Sequence, residues 1–156
     1  VRRINLSSEV FMGYTHYWEI QSVANESKYK RALSDIRKLV RENIDILAND
    51  MGDKGSKPIL RGCVSFNGIE KQSHETFYLP NSVQKFDFER LHYKSFDFCK
   101  TNQKTYDFIV VACLCILKHY LSRTIEIRSD GDKDELKEGI NLASSFLGVT
   151  LLNQFK

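Results

Sequence analysis

The chain has 156 residues, of which 42% are hydrophobic and 28% charged, with two prolines. That composition excludes a collagen-like or largely disordered chain, and the length is enough for one domain to bury its own apolar core without metal or disulfide staples. The formal charge of +3 arises from 23 basic and 20 acidic residues, too even a mixture to give the one-signed field of a dedicated nucleic-acid binder.

The first eleven residues, "VRRINLSSEVF", lack the apolar stretch of a signal peptide. Met12 then opens an aromatic run, so residues 1–11 are expected to be an added or upstream extension, and 12–156 a single α+β domain. "GYTHYWEIQ" reads as a strand from its aromatic and β-branched content. Tyr14, His16, Trp18 and Ile20 fall on one face, with Thr15, Tyr17 and Glu19 on the other. The first face is expected to be core, with a ring-lined pocket at the sheet edge as the alternative.

Asn25 or Ser27 is a fitting N-cap for an amphipathic helix with Ala32, Leu33, Ile36, Leu39, Val40, Ile44 and Leu47 stepping by three or four. "NDMGDKGSKP" stops it. "ILRGCVSFNG" reads as a second strand and "ETFYL" as a third. Residues 81–100 alternate aromatic and polar side chains without turn glycines and are read as a long loop or excursion; "KFDF" and "SFDF" in it are near-duplicates. "TNQKTYDFIVVACLCILKHYL" is a helix apolar on every side, which requires cover on more than one face. "TIEIRSDG" is a further strand, and a last helix runs from about 133 to 147, before Gly148.

Strand, helix, strand, strand, helix, strand, helix is the order of a split βαβ, ferredoxin-like antiparallel sheet with helices on one face and an extra C-terminal helix. In that topology "GYTHYWEIQ" should pair with "ETFYL". The four cysteines, Cys63, Cys99, Cys113 and Cys115, include no C-x-x-C pair and point to buried, reduced thiols and hence the cytoplasm. The apolar run from Phe108 to Leu117 is about half of what spans a bilayer, so no membrane segment is expected.

"MGYTHYW", "FNG", "HETF", "FCKTNQKTYD" and "SDG", in this order from Met12 to about Gly148, resemble an uncharacterised family of short phage and bacterial proteins that begin with a Met-Gly-Tyr-Thr-His-Tyr-Trp-like signature. The resemblance implies an accessory role in a phage or its host, with the host cytoplasm as location, and implies no activity. A proline often stands in that pattern where this chain has Thr105, and residues before Met12 fall outside it.

These segments place polar residues at the ends of expected elements, where rigid scaffolds tend to carry sites. The candidate ligand-binding residues are His16, Trp18, Asn67, His74, Glu75, Lys100, Thr101, Lys104, Asp107 and Asp130. Lys100, Thr101, Asn102 and Lys104 lie before a helix, whose free N–H groups and dipole favour an anion. Tyr14, Trp18 or Phe98 would stack on a base, with Asn67 or Asp130 at its edge. The expected function is therefore binding of a small anionic, nucleotide-like ligand. Two alternatives stand beside it: an oligomeric interaction or assembly protein, and a phosphoester hydrolase with His16 as base and Glu75 as its orienting acid. Each residue also has a structural reading, Thr101 or Asn102 as N-cap, Asp107 as first-turn acid and His16 as a bonded core histidine. Ligands are too scattered for a metal, and no cofactor is expected.

Overall fold

The computed structural model describes residues 13–83 and 94–156. The expected extension at 1–11 and the "KFDF" half of the near-duplicate lie outside them. The elements in chain order are β1 (Thr15–Gln21), α1 (Glu26–Glu42), β2 (Cys63–Phe66), β3 (Phe77–Pro80), β4 (Lys94–Lys100), α2 (Asp107–Leu121), β5 (Ile125–Ser129) and α3 (Lys133–Leu147). They form an α+β fold with two antiparallel sheets, one of three strands ordered β4-β1-β5 and one of two, β2-β3.

β1 is antiparallel to both neighbours. It follows that β4 and β5 run parallel, joined by α2 with β1 between them, which is a split β-α-β unit. The expected partner of β1 is corrected. "ETFYL" supplies β3, which pairs with β2 in the separate hairpin, Phe66 opposite Phe77. The strand beside β1 is instead β4, from the segment read as a loop. Its pattern is inverted: the register puts Ser95, Asp97 and Cys99 beside Ile20, Trp18 and His16 on the helix-covered face, while Phe96 and Phe98 point outward and are exposed. A strand that hides polar atoms and shows rings defeats the usual alternation rule.

The inner face of β1 is core, as the alternation implies: Trp18 is 1% exposed and Ile20 fully buried. Trp18 packs on Phe77 at a ring separation of 5.3 Å, and Phe77 on Phe66 at 5.2 Å, so the hairpin closes the same core. The Tyr29 hydroxyl of α1 donates to the carbonyl of Pro80 (2.6 Å), tying helix to hairpin. α1 starts at Asn25, whose side chain accepts from the Lys28 N–H (2.9 Å), and ends at Glu42, short of Ile44 and Leu47, because Asn43 bonds back to the Leu39 carbonyl (2.8 Å).

α2 is buried from Ile109 to Leu117. α1, α3 and β5 pack around it, so its all-round apolar surface is covered within one chain. α3 approaches closely at Gly139, where a Cβ would stand 2.4 Å from the Val111 Cβ. All four cysteines are free, and Cys99, Cys113 and Cys115 are buried; burial pushes the Cys115 thiol up to about 12, which makes it inert at neutral pH. Among the described residues no helix is long and apolar enough to cross a membrane.

Candidate functional site

The sequence segments singled out above meet where β1 begins and β4 and β5 end. The chain enters β1 at Gly13 with φ +71°, a left-handed conformation that suits glycine. An added Cβ would also lie 2.2 Å from Lys100 Cε, so the lysine side chain would have to move. His16 follows on the inner face, opposite Cys99 on one side and Ser129 on the other. After β4 the chain turns through Asn102 and Gln103, both at positive φ, with the Asn102 N–H bonded to the Tyr14 carbonyl (3.1 Å). That turn brings the first residue of α2, Asp107, over the His16 ring.

His16 is fully buried, and both ring nitrogens are engaged. Nε2 lies 2.6 Å from Asp107 Oδ1 and Nδ1 2.8 Å from Ser129 Oγ. Thr101, also buried, donates its hydroxyl to the same Asp107 oxygen. An ionised carboxylate only accepts, so Nε2 carries the hydrogen, and in the neutral ring Nδ1 accepts the Ser129 O–H. The Gly131 N–H donates to Ser129 Oγ (2.9 Å). Tyr14 stands edge-on to the His16 ring at 5.2 Å. Its hydroxyl is buried with no partner in hydrogen-bonding geometry among the described residues, and burial, aided by the charges of Asp107 and Glu135, holds its pKa well above the usual tyrosine value.

Glu75 is not the partner of His16. Its carboxylate accepts the Lys100 N–H (3.1 Å), and its backbone carbonyl accepts from Tyr106 (2.5 Å) and Cys99 (3.5 Å). His74 is exposed and its Nδ1 lies 2.8 Å from the Lys100 carbonyl. Asn67 is buried and saturated: its Oδ1 accepts from the N–H groups of Gly68 and His74, and its Nδ2 donates to the carbonyls of His74 and Asp50. It closes the hairpin loop and has no edge to offer a base. Trp18 is core, not a ligand floor. The expected anion site at the start of α2 is corrected as well, because Asp107 places its carboxylate there and Thr101 serves Asp107 in place of capping the helix. The Lys100 ammonium reaches along Gly13 and meets no acceptor among the described residues. Lys104 joins the turn through its backbone, its N–H donating to the Thr101 carbonyl (3.1 Å) and its carbonyl accepting from the Asp107 N–H (2.9 Å).

Asp130 points to the other face of the sheet, where its carboxylate accepts the Thr15 N–H (3.0 Å) and the Tyr17 hydroxyl (3.1 Å). Tyr17, Phe96 and Phe98 form a row there. The ring centroids are 6.3 Å apart for Tyr17 and Phe96, which are stacked, and 6.2 Å for Phe96 and Phe98. Phe96 is 50% and Phe98 49% exposed. The register puts Lys100 and Arg128 on this face next to Phe98 and Tyr17 respectively, and Glu19 next to Phe96 with Glu126 beyond it on β5. Alternation in the first strand puts Tyr17 on the outer face, but sequence reasoning missed Phe96 as a surface ring; the alternation in "KSFDFCK", read as a strand, is the signal that exposes it. A separate cleft of about 500 Å³, lined by Arg41, Ile44, Lys57, Pro58, Leu60 and Arg61, lies away from both groups. Among the described residues no cluster of three or more His, Cys, Asp or Glu side chains is placed to hold a metal ion.

Compared with known proteins, the chain matches no family model, no curated protein and no solved structure.

Proposed function

We propose that the protein binds a nucleotide-like anionic ligand on the outer face of the β4-β1-β5 sheet, the base stacking on Phe98 and its neighbours and the phosphate meeting Lys100. The observation that carries this is the row of Tyr17, Phe96 and Phe98, with Phe96 and Phe98 half exposed on a strand, a position where rings have no packing role in the described core. Sheets with aromatic side chains on one face stack bases in this way, at about 1–3 kcal/mol per base. Phe98 and Lys100 are two residues apart on one face, about 7 Å along the strand, a span of the order of that between the base and the phosphate of a nucleotide. The accessory role in a phage or its host comes from the sequence resemblance alone.

A second reading has its own observation. Glu19 and Glu126 lie among the same rings as Arg128 and Lys100, and Glu126 is already held by Lys156 at 2.9 Å. Such a mixed rim around an apolar centre is self-complementary, which suits pairing of two copies face to face.

Thermal unfolding in the presence of mononucleotides and a short single-stranded oligonucleotide separates the two. A ligand at a hundred times its dissociation constant adds about 2.7 kcal/mol of stability, and Phe98→Ala or Lys100→Ala should remove that gain while the unliganded protein melts unchanged. A melting point that ignores every nucleotide but rises with protein concentration, and loses that rise in Phe98→Ala, would replace the ligand with a second copy of the chain.

A further inference from the structure

We propose that Ser129 is a nucleophile, activated by His16 and Asp107, for the hydrolysis of small uncharged or cationic carboxylic esters. This inference is independent of the ligand-binding face. Ser129 Oγ lies 2.8 Å from His16 Nδ1, and His16 Nε2 lies 2.6 Å from Asp107 Oδ1. That is the serine, histidine and carboxylate relay of hydrolases, with the two ring nitrogens exchanged relative to the usual attachment; the roles depend on geometry and not on sequence position. Asp107 and Thr101 are positioning residues, since the carboxylate fixes which nitrogen carries the hydrogen and the threonine hydroxyl fixes the carboxylate. Three residues far apart in sequence, His16, Asp107 and Ser129, are thus joined, with His16 0% exposed, the Asp107 side chain 14% exposed and Ser129 partly open.

A second observation at the same place points to a reacting oxygen. The Tyr14 hydroxyl is buried beside Ser129, with no hydrogen bond of full geometry among the described residues, in a tyrosine only 6% exposed. It and Ser129 Oγ flank one point, the empty Cβ position of Gly131, at 2.0 Å and 3.2 Å. A buried hydroxyl normally makes a full hydrogen bond; this one faces the nucleophile, where oxyanion charge develops in acyl transfer.

In the step the geometry supports, Ser129 Oγ forms a bond to the ester carbonyl carbon as its proton passes to His16 Nδ1. The carbonyl π electrons move to oxygen, which accepts a hydrogen bond from Tyr14. Collapse re-forms the carbonyl and breaks the bond to the alcohol oxygen, which leaves with the proton from Nδ1. Water then attacks the acyl-serine by the same route, releasing the carboxylic acid and restoring the Ser129 hydroxyl. Asp107 balances the imidazolium charge in both halves. The preference for uncharged or cationic esters comes from Asp107, Glu135 and Asp132, whose charges act on Tyr14 beside the nucleophile. They disfavour a phosphoester here.

The test is reaction of the folded protein with diisopropyl fluorophosphate, an uncharged serine reagent, read by intact mass and peptide mapping. The expected result is one adduct on Ser129, absent in Ser129→Ala and formed about a hundredfold or more slowly in Asp107→Asn, in which the ring hydrogen is free to shift to the wrong nitrogen. Circular dichroism of each variant establishes that it is folded. Should Asp107→Asn unfold, Tyr14→Phe gives the second arm, with slower adduct formation expected. No adduct on the folded wild type, or one that persists in Ser129→Ala, would overturn the assignment and leave the network as a staple between β1, β5 and α2.

Discussion

His16 Nε2 and Asp107 Oδ1 lie 2.6 Å apart although 91 residues separate them in the chain. This contact fastens the start of the central strand to the start of the buried helix, and it fixes the polar end of the sheet. Asp107→Ala would strip an acceptor from two buried donors, the His16 ring N–H and the Thr101 hydroxyl. Each buried group left unsatisfied costs about 1–3 kcal/mol, so a loss of about 3 kcal/mol is expected in urea unfolding. Glu75→Gln, which keeps an acceptor for the Lys100 N–H, should lose under about 1 kcal/mol. The reverse order would mean that His16 has been given the wrong partner.

How much of this was legible in the sequence differs between strand and site. The faces of β1 followed from alternation, because Trp18 and Ile20 obey the rule that apolar side chains on one face meet the core. The helices followed from their periodicity and caps. β4 escapes the reading, since Phe96 and Phe98 point outward and Ser95 and Asp97 inward; with β4 read as a loop, "ETFYL" counts as the third strand, which the ferredoxin-like topology puts beside β1. Within the site, His16, Thr101, Asp107 and Ser129 were each visible as polar residues at element ends. Their association was not, because it depends on the turn at Asn102 and Gln103, where non-glycine residues take positive φ without a sequence signal. His16 was assigned to Glu75 as a consequence of the wrong strand pairing.

The contact between α2 and α3 gives a second prediction. In Gly139→Ala the added methyl carbon would sit 2.4 Å from Val111 Cβ and 2.8 Å from the Phe108 carbonyl oxygen. Alanine gains about 1 kcal/mol in helix propensity over glycine, but a branched side chain and a backbone oxygen cannot move aside cheaply, and overpacking typically costs about 1–3 kcal/mol. A net loss of stability is expected in chemical denaturation. A stabilised variant would place the two helices further apart than described.

Asp97 supplies a prediction on pH. Burial holds its carboxyl above the ordinary aspartate range, with the charge of Glu75 adding to the effect. Between the unfolded and the raised folded pKa the native state binds more protons than the unfolded one, so this group's contribution to stability falls as pH rises through that window. At neutral pH the ionised, partly buried carboxylate is therefore a liability. Asp97→Asn retains an acceptor for the Phe98 N–H (2.8 Å) and should raise the melting temperature at neutral pH, with the gain shrinking as the pH is lowered into the acid range. An equal gain at both pH values would mean that ionisation of Asp97 is not its cause.

The central claim is that the row of rings on the sheet is where a nucleotide-like ligand sits, and an NMR titration of isotope-labelled protein with adenosine monophosphate tests it most directly. Saturable shifts are predicted at Tyr17, Phe96, Phe98 and Lys100, with ring-current displacement of the two phenylalanine side chains and little change at buried Trp18; Phe98→Ala should abolish them without altering the rest of the spectrum. Saturable shifts centred instead on the cleft of Arg41, Lys57 and Arg61, or a spectrum that does not respond to the nucleotide at all, would contradict it.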